Sequence, residues 1–274
     1  MHKSKPDIEQ LKKTALAARK MLIRIASKSH SPHIGSSLSH IDITTALYSA
    51  ILNVTPKTAR DPCRDRFILS KGHAALGYYC VLALHGFISQ KELERYGKND
   101  TKLAGHPVLG TAKGIEATSG ALGHGLAMAL GLALAGKRDG LSAKYVVLVS
   151  DGECDEGSTW EAILLAGHLG LDNLTVIVDY NKIQSFGRVE EVLDLEPFAD
   201  KWEASRWAVA SLDGHDFAEL LPALSSLPLR KGKPTVIIAH TIKGKGVPIM
   251  ENKLEWHYRD VRPEDLEETL AQVY

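Results

Sequence analysis

Four short runs of aliphatic and β-branched residues, 146–149, 174–178, 208–212 and 235–239, recur through the second half of this chain, with stretches of helical spacing near 158–169 and 216–227 between them. Strands buried on both faces read as continuous apolar runs, and their alternation with helices is the pattern of a parallel sheet covered on both sides. The expected fold class is therefore α/β, a parallel sheet with helices on both faces. The first half adds helices. Ile8, Leu11, Ala15, Ala18, Leu22 and Ile25 recur at three- and four-residue spacing over 7–28. A second helix is expected to begin near Ser39, and others over 74–84, 90–96 and 121–135. No repeat or long linker divides the 274 residues, of which 44% are hydrophobic, so 1–274 is read as one domain large enough to bury a core.

In such sheets ligands bind in the crevice beyond the carboxyl ends of the strands. Asp151 follows the first run, Asn181 the second and Lys243 the last, so three segments distant in sequence are expected to meet at one edge. Asp151-Gly152-Glu153-Cys154-Asp155-Glu156-Gly157, with Asn181 thirty residues after Asp151, reads as a magnesium diphosphate clamp. Magnesium takes octahedral oxygen ligands and shares them between one or two side chains and substrate phosphates. The Asp151 carboxylate, the Asn181 amide oxygen and the nearby Ile183 carbonyl would supply half a shell, and Gly152 would let backbone approach the phosphates. Ordinary turns after strands also use such residues. Gly120-Ala121-Leu122-Gly123-His124-Gly125 reads as a glycine-rich helix start, suited to an anion or to tight packing. Lys243 and Lys245, spaced by glycines, suit an anion contact or a solvated turn.

Charge narrows the classes further. Thirty-three basic and thirty-three acidic residues cancel, leaving no footprint for nucleic acid or a membrane surface. Cys63, Cys80 and Cys154 are too widely spaced for a zinc or disulfide framework, which fits a cytoplasmic protein. The N-terminus lacks the pattern of a secretory signal, and glycines break the most apolar stretch, 121–135, so no membrane span is expected. No Gly-x-Gly-x-x-Gly follows the first run, which speaks against a nicotinamide-binding protein.

Several segments, in order along the chain, resemble the N-terminal half of transketolase, the thiamine diphosphate enzyme. They are Ser31-Pro32-His33-Ile34-Gly35, Ser70-Lys71-Gly72-His73, Gly105-His106-Pro107, Ser119-Gly120-Ala121-Leu122-Gly123-His124-Gly125, the Asp151 to Asn181 span, Lys243-Gly244-Lys245-Gly246 and Trp256-His257. The resemblance covers nearly the full length. It implies the thiamin diphosphate-binding fold in its diphosphate-binding (PP-type) form, with thiamine diphosphate and Mg2+ as cofactors. It also implies transfer of a two-carbon glycolaldehyde unit from a ketose to an aldose.

By the same resemblance, His33, His106 and His257 are substrate-facing proton-transfer candidates. His73, Gly120, Ala121, Leu122, Gly152, Glu156, Asn181, Lys243 and His257 would contact the cofactor, with Asp151, Asn181 and Ile183 as metal ligands. Glu156 is further expected to cap the following helix and tighten the metal loop. Three positions depart from the family: His124 stands for a glutamine, Ser150 for the first glycine of Gly-Asp-Gly, and Tyr258 for the glycine of Trp-His-Gly, where it would narrow the donor channel. Complete transketolases are more than twice this length and carry a pyrimidine-binding domain, so a split enzyme is expected, active as a heterotetramer with a C-terminal, pyrimidine-binding subunit. Alternatives are one chain of another thiamine diphosphate enzyme, such as the alpha chain of a 2-oxo acid dehydrogenase, and a non-catalytic scaffold.

Overall fold

A computed structural model describes residues 7–274. Helix α1 (Ile8–Ser29) starts where the Asp7 carboxylate accepts the Glu9 N–H at 3.0 Å, and the expected stripe of Leu11, Ala15, Ala18, Leu22 and Ile25 is buried. Left-handed residues at His30 and His33 turn the chain into α2 (Ile34–Ser39) and α3 (Ile41–Ala46), which runs on through a wider π turn at Leu47–Ile51. The second helical stretch thus begins at Ile34 rather than near Ser39. Every residue of α2 and α3 is buried, so no polar face marks a helical period there.

Strand β1 (Arg66–Leu69) has no counterpart among the expected runs: it is four residues long and opens on an arginine. Helix α4 (Ala75–Leu84) matches its expected span, whereas α5 (Gln90–Leu93) is a single turn. Helix α6 (Gly125–Arg138) starts later than the expected 121, because Gly120 and Gly123, with φ of 131° and 79°, hold the preceding residues in turns. Then follow β2 (Tyr145–Ser150), α7 (Gly157–Leu169), β3 (Leu174–Tyr180), α8 (Val189–Val192), α9 (Phe198–Ala204), β4 (Ala208–Asp213), α10 (Phe217–Ser225), β5 (Thr235–His240) and α11 (Leu266–Ala271).

The five strands are all parallel in the order β1-β2-β3-β5-β4. Successive side chains point to opposite faces, and both faces are packed. Phe67, Val146, Leu148, Ile177 and Ile237 join the core formed with α1, α3, α4 and α10. Ile68, Val147, Val149, Val176, Val178 and Ile238 join a second core with α6, α7 and α9. Double-sided burial explains why these strands read as unbroken apolar runs. Among the described residues no helix is long and apolar enough to cross a membrane.

Candidate active site

A cavity of about 250 Å³ opens at the carboxyl edge of the sheet. The loop after β1 brings Lys71 and His73 to it, the loop after β2 Asp151 and Gly152, the loop after β3 Asn181 and Ile183, and the loop after β5 Lys243. His33, His106, Gly120, Leu122 and His257 complete the wall from segments outside the sheet. The expected convergence of distant segments is therefore present, and the unanticipated β1 delivers one of them.

On the phosphate-like side, Asp151 is buried, accepting the Gly152 N–H at 2.8 Å on Oδ1 and the Lys182 N–H at 2.6 Å on Oδ2. The second bond ties the β2 loop to the β3 loop. Asn181 Oδ1 accepts the Ile183 N–H at 3.1 Å. The buried Lys243 ammonium donates to the Ile183 carbonyl at 2.9 Å and to His257 Nδ1 at 3.0 Å. Burial, then the nearby Asp179 charge, raises the Asp151 carboxyl above its ordinary pKa. Burial likewise lowers that of Lys243, with Asp151 opposing the shift. Among the described residues no group of three or more His, Cys, Asp and Glu gathers to hold a metal. One carboxylate, one amide oxygen and one carbonyl beside an open cavity fit a magnesium ion that takes its other ligands from a diphosphate and water. Gly152 lines the same cavity, and a Cβ there would lie only 3.0 Å from the Gln184 Cβ, so close packing also accounts for a glycine at this position.

The other side of the cavity is a cluster of imidazoles. The His33 ring centroid lies 5.1 Å from that of His73 and 5.0 Å from that of His257. His33 adopts φ 64°, held by donation of its N–H to the His257 carbonyl at 2.9 Å, and its buried Nδ1 has no hydrogen-bond partner among the described residues. A left-handed non-glycine residue and an orphaned buried nitrogen are both costs that functional sites tend to carry. Burial, then the Lys243 and His33 charges, brings His257 down to about 3. Burial also lowers His33 and, much further, His73. These rings are neutral at pH 7. His106 stands at the exposed rim, against Gly120; a Cβ on Gly120 would meet the His106 ring at 2.6 Å.

Several expectations need correction. Ala121 is exposed and does not line the cavity, since the turn at Gly120 directs it outward while Gly120 and Leu122 face in. Glu156 sits at the cap position of α7 but is exposed, and its side chain makes no cap hydrogen bond; it does not line the cavity. The carboxylate that tightens the loop is Glu153, fully buried, which accepts from Ser70 Oγ and from the Gly123 N–H at 2.9 Å. Ser150 and Glu153 also bond reciprocally, Glu153 N–H to Ser150 Oγ at 3.2 Å and Ser150 N–H to Glu153 at 3.4 Å. The reciprocal pair has the spacing of a capping box but starts one residue before Asp151, the cap of the 3₁₀ turn Gly152–Asp155, and Ser-x-x-Glu was its sequence signal. His124 precedes α6 rather than lying in its first turn, is exposed, and bonds the Leu122 carbonyl at 3.0 Å. Lys245 lies away from the cavity beside Glu251 and Tyr274.

Sequence reasoning also missed the floor of the site. Asp179, completely buried, accepts hydrogen bonds from Lys71, Ser39 and Thr241, and Lys71 donates further to the Ser36 carbonyl at 2.8 Å. Burial opposes ionisation of Asp179, but the Lys71 charge and these bonds hold it down at about 2. Asp179 and Lys71 stand inside recognisable motifs, yet nothing in their spacing pairs them.

The profile of the transketolase thiamine diphosphate-binding domain matches residues 11–273. An apulose-4-phosphate transketolase subunit from Actinobacillus succinogenes is 42% identical over 266 residues, 97% of this chain and 96% of that one. The 6-deoxy-6-sulfo-D-fructose transketolase subunit SqwG of a Clostridium species is 37% identical, with 96% of each chain covered. The crystal structure of transketolase from Campylobacter jejuni superposes with a TM-score of 0.90 at 31% identity; it matches 97% of this chain, which spans only 43% of that protein. The strand order, the cavity at the carboxyl edge and these matches agree, and the chain belongs to the transketolase family, as its thiamine diphosphate-binding domain.

Proposed function

We propose that this chain is the diphosphate-binding subunit of a two-subunit transketolase, which moves a two-carbon glycolaldehyde unit from a ketose or ketose phosphate to an aldose. The observation that carries this reading is the meeting of His33, His73, His106 and His257 with Asp151 and Asn181 in one cavity. The neutral imidazoles of His33, His73 and His257 suit hydrogen bonding and proton exchange with sugar hydroxyls. The match to single subunits of other transketolases, over nearly the whole of both chains, supports division between two polypeptides. So does the outer face of α7, where Leu164 is 61% and Leu165 47% exposed, an apolar surface of the kind that marks an interface. The partner is a pyrimidine-binding subunit, and the assembly a cytoplasmic heterotetramer.

Thiamine diphosphate bound here would supply the carbanion stabilisation that the reaction requires. Asp151, Asn181 and the Ile183 carbonyl would hold magnesium, while Gly152, Lys243 and His73 would contact the diphosphate and Gly120 and Leu122 the rest of the cofactor. Because the Lys243 ammonium occupies His257 Nδ1, the neutral His257 ring carries its proton on Nε2 and can donate to a ketose hydroxyl. His33 offers an unpaired nitrogen, and His106 meets the sugar at the rim.

Mixing the purified chain with a separately encoded pyrimidine-binding subunit, thiamine diphosphate and magnesium should yield ketose-to-aldose transfer that neither polypeptide shows alone. Transfer at about 1 per second or more by the isolated chain would overturn the two-subunit reading. A cofactor-loaded complex that converts 2-oxo acids and no ketose would overturn the transketolase reading.

A further inference from the structure

Tyr258 closes the 3₁₀ turn Leu254–His257 with φ −118° and ψ −21°, an ordinary right-handed conformation. The backbone therefore places no demand for glycine at this position, and what stands there is free to be set by the space in front of it. Tyr258 lines the mouth of the cavity. Its ring centroid is 4.8 Å from that of His257 and 5.8 Å from that of His33, while 61% of the residue stays exposed. One side of the ring thus leans on the two substrate-facing imidazoles and the other borders the opening.

What lies behind the ring is fixed. His257 is held by the Lys243 ammonium at 3.0 Å, and the His33 N–H is bound to the His257 carbonyl at 2.9 Å. A sugar that reaches these imidazoles has to pass the edge of a large, flat side chain resting on an unyielding base. The Tyr258 hydroxyl makes no hydrogen bond among the described residues, so its protein contacts are those of the ring with His257 and His33.

On the transketolase reading, we infer that Tyr258 is a specificity-determining residue: its ring forms a steric wall of the donor mouth and disfavours bulkier, branched ketoses relative to straight-chain ones. The discrimination comes from shape. A misfit of one small group in a close-fitting pocket is worth about 10- to 200-fold in selectivity, and a ring open to solvent on one side should fall toward the lower end. Cofactor contacts lie deeper, at Asp151, Asn181 and Gly152, and are not part of this wall.

The test uses the two-subunit complex loaded with thiamine diphosphate and magnesium, in wild-type, Tyr258→Gly and Tyr258→Phe forms. The substrates are a straight-chain ketose phosphate and the isomer carrying a hydroxymethyl branch beside the carbonyl. Tyr258→Gly should raise the branched-to-straight ratio of kcat/KM by about tenfold or more, and Tyr258→Phe, which keeps the shape, should leave that ratio within about twofold of wild type. A ratio unmoved by Tyr258→Gly, or moved as far by Tyr258→Phe, would overturn the steric role. Binding of the corresponding non-reacting sugar alcohol phosphates gives a second readout. If the complex turned over no ketose, the transketolase reading would fall on that ground, and the order of these affinities in the two variants would still decide the role of Tyr258.

Discussion

Two buried polar clusters lie toward the carboxyl edge of the sheet, one near β4 and one across β1, β2 and β3. At the first, Asp42 on α3 accepts from Arg19 and from His215 Nδ1 at 2.8 Å, while His215 Nε2 accepts the Ile242 N–H at 2.8 Å and Arg19 Nε donates to the Lys245 carbonyl at 3.2 Å. Every one of these groups is answered by another. Burial opposes ionisation of Asp42, but Arg19 and then His215 hold its carboxyl below the usual range. At the second cluster Asp151 is shifted the other way and His33 Nδ1 has no partner. Both clusters are buried and both border an opening; what separates them is the direction of the carboxylate shift and the one imidazole nitrogen, His33 Nδ1, without a partner among the described residues, the imbalance expected where a charged ligand belongs.

The largest effect should come from the floor of the open cluster, which is itself closed. Lys71→Met would leave Asp179 buried without its countercharge, a loss of about 3–5 kcal/mol. Urea unfolding should show it, and adding Asp179→Leu should recover part of the loss. A single variant losing under about 1 kcal/mol would mean that the floor is not a paired charge of this kind.

Next comes Asp151, where stability and binding should part company. Asp151→Ala should weaken cofactor binding to the complex by about 3 kcal/mol, through loss of a charged ligand. In the cofactor-free chain the same carboxylate is a burden. Its raised folded pKa means that the folded state holds a proton longer than the unfolded state, so its contribution to stability falls as pH rises above about 4. Asp151→Asn should therefore gain on wild type as pH rises from about 4 toward neutrality. Unchanged cofactor affinity by calorimetric titration would remove Asp151 from the metal site.

The third effect is on turnover alone. His106→Ala should lower ketose turnover by about two orders of magnitude, within the range of general acid–base groups, and leave cofactor affinity nearly unchanged. Loss of cofactor binding with normal turnover per bound cofactor would place His106 on the cofactor side instead.

The two clusters also differ in how far the sequence reveals them. The open one was legible because its residues sit in short motifs, Asp151, Asn181 and Lys243 at strand ends and the histidines in short segments of their own, and all reach the cavity. Long amphipathic α1 announces itself by period and the strands β2, β3 and β5 by double-sided burial, while the half-buried edge strand β4 shows only as a short apolar run. What stayed hidden depends on contacts between distant segments. Glu153 and Glu156 are equally acidic in sequence, and only Gly123 and Ser70 arriving from elsewhere decide which is buried. Asp42 and His215, 173 residues apart, carry no local signal at all.

The smallest effect belongs to that closed cluster. His215→Phe keeps an aromatic ring of similar bulk but removes the N–H given to Asp42 and the acceptor for the Ile242 N–H. Leaving that N–H unanswered and Asp42 with fewer bonds should cost about 1–3 kcal/mol at pH 7, read by urea unfolding of the cofactor-free chain. The pH dependence has the opposite sign to that of Asp151. Asp42 has a depressed folded pKa, so its contribution is fully present above an unfolded value of about 4 and is lost as pH falls through the folded value. Without His215 the depression is smaller and less stability is lost in acid, so the variant's deficit should narrow as pH drops below about 4. A deficit that stayed constant from about pH 7 to about pH 3 would show that His215 acts by packing and not through Asp42, and the contrast between the answered and the unanswered clusters would lose its electrostatic basis.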